Sequence, residues 1–389
     1  MKNSIPKSIY RALRKIEETG HTAYLVGGFV RNSILGLPSD DFDIATSMHP
    51  NEIKKLFKNH YDTGSAYGTV PLFFYGRKLE ITTYRTEEHY KNHRAPEKVT
   101  FVSNLKDDLA RRDFTINAIA LGKDGTIEDP FGGQADLQNG IIRTVGNPQE
   151  RFSEDALRML RALRFSASLG FEIEAKTTAA IKENARLCAA LSKERITAEL
   201  EKILLSSAPE KAALAFNYGL LRHTVESGKE IDLSSLRAAK ATLTLRLSLL
   251  CRLLQETGLI KTPAAFLASL SLSNIQETEC TAICNILERI ENNRVTIKKL
   301  TARYGTNAME EALQLTKKET AATYYDARRK KECMEEKDLA LQGRDLHALG
   351  LQGGKIGEAL QLLLFHVHKH PQDNKAALLR ALLSEKFGI

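Results

Sequence analysis

Seven of the ten prolines in this 389-residue chain fall within its first 148 residues, and only three fall in the 241 that follow. Proline removes a backbone donor and is excluded from helix interiors and central strands. The first stretch must therefore be built from short elements broken by turns, while the second is free to be helical. The residues agree. Early runs such as Gly68-Thr69-Val70-Pro71-Leu72-Phe73-Phe74 and Leu79-Glu80-Ile81-Thr82-Thr83-Tyr84 are β-rich and flanked by turn residues. From about Ser153 onward the chain is rich in Ala, Leu, Glu, Lys and Arg, with apolar residues three and four apart, as in Ile196-Thr197-Ala198-Glu199-Leu200-Glu201-Lys202-Ile203-Leu204. This predicts an α+β protein: a mixed α/β head over residues 1–147, then helices throughout, divided by turn signals into a neck (148–209), a body (210–310) and a tail (311–389). The turn signals are Ser206-Ser207-Ala208-Pro209, Gly305 and Gly353-Gly354.

With 42% hydrophobic residues the chain can bury substantial cores, and its net charge of +8 is compatible with a polyanionic partner. The N-terminus has no apolar signal core and no stretch approaches the length of a membrane span, so a cytoplasmic location with no membrane partner is expected. The five cysteines are scattered. Cys280 and Cys284 lie one helical turn apart without a partner cluster and read as free core thiols rather than zinc ligands.

The head carries the chemistry. In Leu25-Val26-Gly27-Gly28-Phe29-Val30-Arg31, the missing β-carbons of Gly27 and Gly28 let backbone N–H groups approach a triphosphate at the start of a helix, and Arg31 adds a forked cation. Shortly after come Asp41 and Asp43. On one strand, side chains two apart share a face, so both carboxylates can reach one pair of divalent ions. Two magnesium ions held roughly 3.5 to 4 Å apart would lower the pKa of an attacking hydroxyl and stabilise a departing pyrophosphate. The plain alternative is an Asp-rich turn exposed to water.

These motifs resemble those of the bacterial-type (class II) CCA-adding enzymes, the tRNA nucleotidyltransferases related to poly(A) polymerases. The resemblance rests on the glycine turn, the two aspartates, Arg111-Arg112-Asp113-Phe114-Thr115-Ile116-Asn117-Ala118, Asp129-Pro130-Phe131-Gly132-Gly133 and Arg151-Phe152-Ser153-Glu154-Asp155-Ala156-Leu157-Arg158, in that order over the first 170 residues. Beyond residue 210 it is looser and rests on helical character and on Gly343-Arg344-Asp345-Leu346 followed by Gly354-Lys355-Ile356-Gly357-Glu358. It implies a polymerase-β-like head, Mg2+ on Asp41 and Asp43, and template-independent addition of C, C and A to tRNA 3′ ends from CTP and ATP. An A-only enzyme, a poly(A) polymerase and a non-catalytic RNA-binding protein are the alternatives. The resemblance also implies nucleotide binding by Arg112, and use of the charged, apolar-poor segment Thr86–Glu97, read as a mobile loop, in switching from C to A addition. One departure stands at Asn32, where the family usually has Asp; the amide keeps an acceptor for Arg31 but loses the charge.

Base choice follows from hydrogen-bonding chemistry. Ser153 reads as the cap of a helix whose first turn holds Glu154 and Asp155, followed at three-residue spacing by Arg158, Arg161 and Arg164. Cytosine and adenine both present an amine donor beside a ring-nitrogen acceptor, whereas uracil and guanine present a carbonyl beside a ring N–H. Asp155 as acceptor and Arg158 as donor match the first pair, a role the resemblance also implies. Arg161 and Arg164 would then face the triphosphate. Glu80 is a third acidic candidate kept off the metal site, Asp113 and Asn117 read as local capping groups, and Glu194, Arg195 and Glu199 as a brace for the neck. The tail, with Arg328-Arg329-Lys330-Lys331, is expected to follow the acceptor stem of tRNA, with homodimerisation as its alternative role.

Overall fold

The computed structural model describes residues 5–61, 67–91, 95–221 and 230–388. The chain forms two compact units, residues 1–233 and 234–389.

The first unit opens with α1 (Lys7–Glu17), β1 (Ala23–Val26), α2 (Gly28–Leu35), β2 (Asp43–Thr46), α3 (Pro50–Leu56), β3 (Thr69–Phe74) and β4 (Arg77–Thr83). After β5 (Arg85–Lys91), β6 (Ala95–Phe101) and α4 (Leu105–Ala110) come β7 (Ala120–Leu121), β8 (Ile127–Glu128), α5 (Gly133–Asn139) and β9 (Ile141–Ile142). One six-stranded mixed sheet, in the order β3-β4-β2-β1-β7-β8, organises the head. Within it only β2 and β4 run parallel, with Asp43 opposite Glu80, while Asp43 also faces Val26 across the antiparallel β1–β2 pair. Strand alternation divides the faces. Ile44, Val70, Leu72, Leu79 and Ile81 are fully buried, whereas Glu80 and Phe73 on the opposite face are not. Helix α1 buries Ile9, Ala12, Leu13 and Ile16, an i, i+3, i+4, i+7 stripe.

The described residues of the segment expected as a loop over Thr86–Glu97 lie instead in the paired antiparallel strands β5 and β6, with Arg85 opposite Phe101 and Thr86 opposite Thr100. The backbone ladder, flanked by β-branched Thr86, Val99 and Thr100, outweighs the charged composition. Residues 92–94 lie outside the described residues.

The unit continues with α6 (Pro148–Glu154), α7 (Leu157–Leu169), β10 (Glu172–Ile173), α8 (Ala175–Asn184), α9 (Lys193–Leu204) and α10 (Ala213–Asn217). Two expectations need correction here. The neck is not wholly helical, since Glu172 and Ile173 pair in parallel with Ile141 and Ile142. Nor does Ser153 cap a helix: it closes α6, its hydroxyl donating to the Glu150 carbonyl at 2.7 Å. Asp155 stands in the break between α6 and α7 and accepts the Leu157 N–H at 3.1 Å, taking the capping role itself.

The second unit is helical among its described residues: α11 (Leu243–Glu256), α12 (Pro263–Ser269), α13 (Asn274–Arg289), α14 (Arg294–Tyr304), α15 (Thr306–Leu313), α16 (Lys318–Arg329), α17 (Gly343–Ala348), α18 (Gly354–Lys369) and α19 (Ala376–Phe387). Gly305 separates α14 from α15 and Gly353 precedes α18, where the turn signals stand, while residue 310 falls inside α15. All five cysteines are buried and free. None of the described helices is long and apolar enough to cross a membrane.

Candidate active site

The end of β1, the start of α2, the start of β2 and one face of α7 surround a cleft of about 380 Å³ lined by Gly27, Gly28, Arg31, Asp41, Asp43, Arg112, Asp113, Asn117, Arg161, Arg164 and Phe165. Seven of the nine predicted site residues, Gly28, Arg31, Asp41, Asp43, Arg112, Arg161 and Arg164, thus meet in one place. Gly27 has φ of 70°, and a β-carbon there would stand 3.2 Å from the Asp43 carboxylate and 3.5 Å from Arg112 Nη1. Only glycine lets the turn pass this close without strain.

Only Asp43 of the aspartate pair lies within β2; Asp41 precedes the strand and is exposed. The pair still shares a side, because Phe42 between them is buried against Phe29 and its carbonyl accepts the Glu80 N–H at 3.1 Å, extending the ladder. Burial, then the charge of Asp41, raises the Asp43 carboxyl to about 6, against the pull of Arg112. Glu80 lies opposite Asp43 in the register but pairs with Lys78 at 3.2 Å. Arg112 donates to Asp108 at 3.3 Å, and its Nε is buried without a hydrogen-bond partner among the described residues.

The far wall is cationic. Arg31, Arg161 and Arg164 all stand over the ring of Phe165, at 4.9, 5.4 and 4.1 Å from its centroid. Arg31 is held by Asn32, whose Oδ1 accepts Nε at 3.0 Å and Nη2 at 2.9 Å, and by Asn117 Oδ1 at 2.7 Å. The amide at position 32 therefore orients Arg31 without a formal charge, leaving the guanidinium less neutralised. Burial, with Arg164 alongside, lowers the Arg31 pKa to about 10. Asp113 accepts Arg161 Nε at 2.8 Å and Asn117 Nδ2 at 2.9 Å. Burial pushes the Asp113 carboxyl up, but Arg161 and these hydrogen bonds prevail and bring it to about 2. Arg164 Nε lies 2.8 Å from Glu199, an ion pair whose angle is not that of an aligned hydrogen bond.

Asp155 and Arg158 are not among the residues lining the cleft. Arg195 Nη2 donates to both oxygens of Asp155, at 3.1 and 2.9 Å. Arg158 is buried and donates to Glu154 at 2.6 Å and to the Arg151 and Arg111 carbonyls at 3.1 and 3.0 Å. The expected brace is thus partly seen, with Arg195 on Asp155 and Glu199 on Arg164.

Residues 23–143 match the family model of the poly(A) polymerase head domain, and residues 170–231 that of the probable RNA- and SrmB-binding site of polymerase A. The structure aligns with the crystal structure of the Bacillus stearothermophilus CCA-adding enzyme in complex with CTP over 98% of this chain and 99% of that one, with a TM-score of 0.78 and 31% identity. The chain belongs to the CCA-adding enzyme family. The CCA-adding enzyme of Lacticaseibacillus paracasei is 54% identical over 198 residues, 51% of this chain and 50% of that protein. The matched region spans about half the length of such curated relatives. A Thermotoga maritima CCA-adding enzyme complexed with tRNA, at 22% identity and a TM-score of 0.67 over 98% of this chain and 97% of that one, shares the fold.

Within this family member Asp113 and Asn117, read from the sequence as local capping groups, line the cleft, and the Asp129–Gly133 motif supports the turn that carries them. Asp129 caps α5 by accepting the Gly133 and Gln134 N–H groups at 2.7 and 2.9 Å. A β-carbon on Gly133 would strike the Thr115 carbonyl, so this glycine lets α5 press on the turn that presents Asp113 and Asn117. Phe165 was missed. Its only signal is an aromatic residue next to Arg164 in a stripe of arginines.

Proposed function

We propose that this protein adds C, C and A to the 3′ end of tRNA in the cytoplasm, from CTP and ATP, by attack of the RNA 3′ hydroxyl on the nucleotide α-phosphate with release of pyrophosphate. One observation carries the reading: a cleft with two carboxylates on one wall and three guanidiniums on the other, the charge pattern that a metal-bound triphosphate complements. The relative crystallised with CTP supports the nucleotide class.

The residues fit a divalent metal. Asp43 holds its proton more tightly than an ordinary carboxyl because it is buried beside Asp41, the environment in which a cation is most welcome. Among the described residues no group of three or more His, Cys, Asp or Glu gathers around one point. Asp41 and Asp43 would supply the protein ligands, which suits magnesium, an ion bound through one or two carboxylates with substrate phosphates and water completing its shell. Bound there, magnesium would favour ionisation of the attacking hydroxyl and neutralise the departing pyrophosphate.

The chain's own groups divide the remaining work. The backbone N–H groups at Gly28 and the start of α2 face phosphate oxygens, with Arg31 oriented by Asn32 and Asn117. Arg161 and Arg164 extend the positive wall, and Arg112 reaches from the carboxylate side. Base reading is assigned to Asp155 and Arg158, which must exchange Arg195 and Glu154 for the amine and ring nitrogen of cytosine or adenine. The helical residues 311–389 are assigned to the acceptor stem of tRNA.

The test uses purified protein with tRNA transcripts ending before the two C residues, after one and after two, each with CTP, ATP or both. Stepwise completion to CCA supports the reading. Extension of only the transcript that ends in two C residues identifies an A-only enzyme, untemplated A runs a poly(A) polymerase, and no incorporation a non-catalytic RNA-binding protein.

A further inference from the structure

The sheet presents a second surface that continues away from the carboxylates. Asp43 lies opposite Glu80, Glu80 opposite Pro71, and the Pro71 carbonyl accepts the Tyr61 N–H at 2.8 Å, so these four residues form one row across the sheet. One step along, Lys78 lies opposite Phe73, whose N–H donates to Asn59 at 2.9 Å. All belong to the face opposite the buried Ile44, Leu72, Leu79 and Ile81. At this end of the face two aromatic rings stand in the open, Tyr61 51% and Phe73 45% exposed, packed edge to face with centroids 6.1 Å apart. Lys78 is exposed between them and the carboxylates. Three strand spacings separate Tyr61 from Asp43, about 14 Å, a distance spanned by a few unpaired nucleotides.

We propose that this open row is the track along which the unpaired 3′ end of RNA reaches the site: Tyr61 and Phe73 stack a base upstream of the terminus, Lys78 meets a phosphate, and the terminal hydroxyl arrives at Asp41 and Asp43. The inference rests on the nucleotidyltransferase reading above. Two features select this occupant. The triphosphate's guanidinium wall lies on the α7 side of the carboxylates, so the attacking strand must come from elsewhere, and the aromatic row is continuous with the carboxylates through β4. Exposed aromatics beside a lysine form the platform that single-stranded nucleic acid uses, since every base has a stackable face. Tyr61 and Phe73 are positioning residues, which touch RNA rather than reacting atoms.

The test is the full-length Tyr61→Ala/Phe73→Ala variant, with Phe73→Tyr as the conservative control. Equilibrium binding of a fluorescent stem carrying a three-nucleotide 3′ overhang, measured by anisotropy, needs no turnover. The alanine variant is expected to bind this RNA roughly tenfold more weakly, with little change for the blunt stem. Phe73→Tyr should bind like the original protein. In turnover, the KM for RNA should rise while the KM for CTP holds. Equal affinities of original and alanine proteins for the overhang RNA would overturn the proposal, as would equal losses for overhang and blunt stems, or a dimer dissociated by the alanine substitutions with RNA affinity unchanged. Failure of the original protein to add nucleotides would instead refute the activity, and the anisotropy result would still decide the track.

Discussion

Replacing Asp43 by asparagine should make the protein more stable while silencing it. Well below pH 3.8 the Asp43 carboxyl is neutral in both folded and unfolded chains, and the group exerts no pH-linked effect. As the pH rises, the unfolded carboxyl ionises first, whereas the folded one, raised to about 6 by burial and Asp41, holds its proton. Folding therefore loses stability from this group between about pH 4 and 6, and the loss is complete above the folded pKa. At roughly 1.4 kcal/mol per tenfold change in proton affinity, the total is about 3 kcal/mol at neutral pH. Asp43→Asn removes that liability and keeps the shape of the side chain. In a chelator at pH 7.5 the first unit of the variant should melt several degrees above the original protein. The gap should narrow as the pH falls to 5, and added magnesium should narrow it from the other side by stabilising only the original protein. Equal or lower stability of Asp43→Asn at pH 7.5 without metal would refute the account of Asp43 as a strained anion.

Asp41→Ala should abolish nucleotide addition and leave tRNA binding measurable by filter retention, since metal ligation and backbone docking use different groups. For Arg158→Ala, the ratio of kcat/KM for CTP over UTP should fall about tenfold as a lost base contact; a parallel fall in both values would make Arg158 a brace for Glu154 alone. Asn32→Ala frees Arg31 from one of its two holders and should raise the nucleotide KM roughly fivefold, while Asn32→Asp should tolerate the change. If residues 311–389 follow phosphates, a chain truncated near residue 310 should show a shallower slope of log tRNA affinity against log salt than the intact chain.

The two-part fold was legible because proline placement and helical periodicity act locally. So was the carboxylate pair, since a buried Phe42 between two aspartates is enough to turn both toward one side. Arg158 stands apart from Arg161 and Arg164, outside the cleft lining, for a geometric reason. Each step of three residues falls about 60° short of a full helical turn, so Arg158 and Arg164 point roughly 120° apart. A stripe drawn at three-residue spacing therefore wraps from the cleft, where Arg161 and Arg164 stand, into the packing against Glu154. Phe165 and Asn117 could not be read as site residues, because their place depends on α7 and α5 meeting the sheet. The hairpin was hidden by its charges. Glu87 accepts from Arg85 and Arg111 at 2.8 and 2.9 Å, so residues that look solvated in sequence form a half-buried set of ion pairs.

The three guanidiniums crowded on Phe165 have a consequence for the release of product. Each repels the others, and Arg31 and Arg164 give up some basicity to burial in that company. A wall of this kind welcomes any small polyanion, and it has little means of telling the outer two phosphates of a substrate from the pyrophosphate that leaves. The leaving group would therefore linger where it was made, next to a freshly joined strand end. Under the proposed activity such a site would be slow to clear: pyrophosphate would compete with incoming nucleotide for the wall, and nucleotide addition should slow as pyrophosphate accumulates.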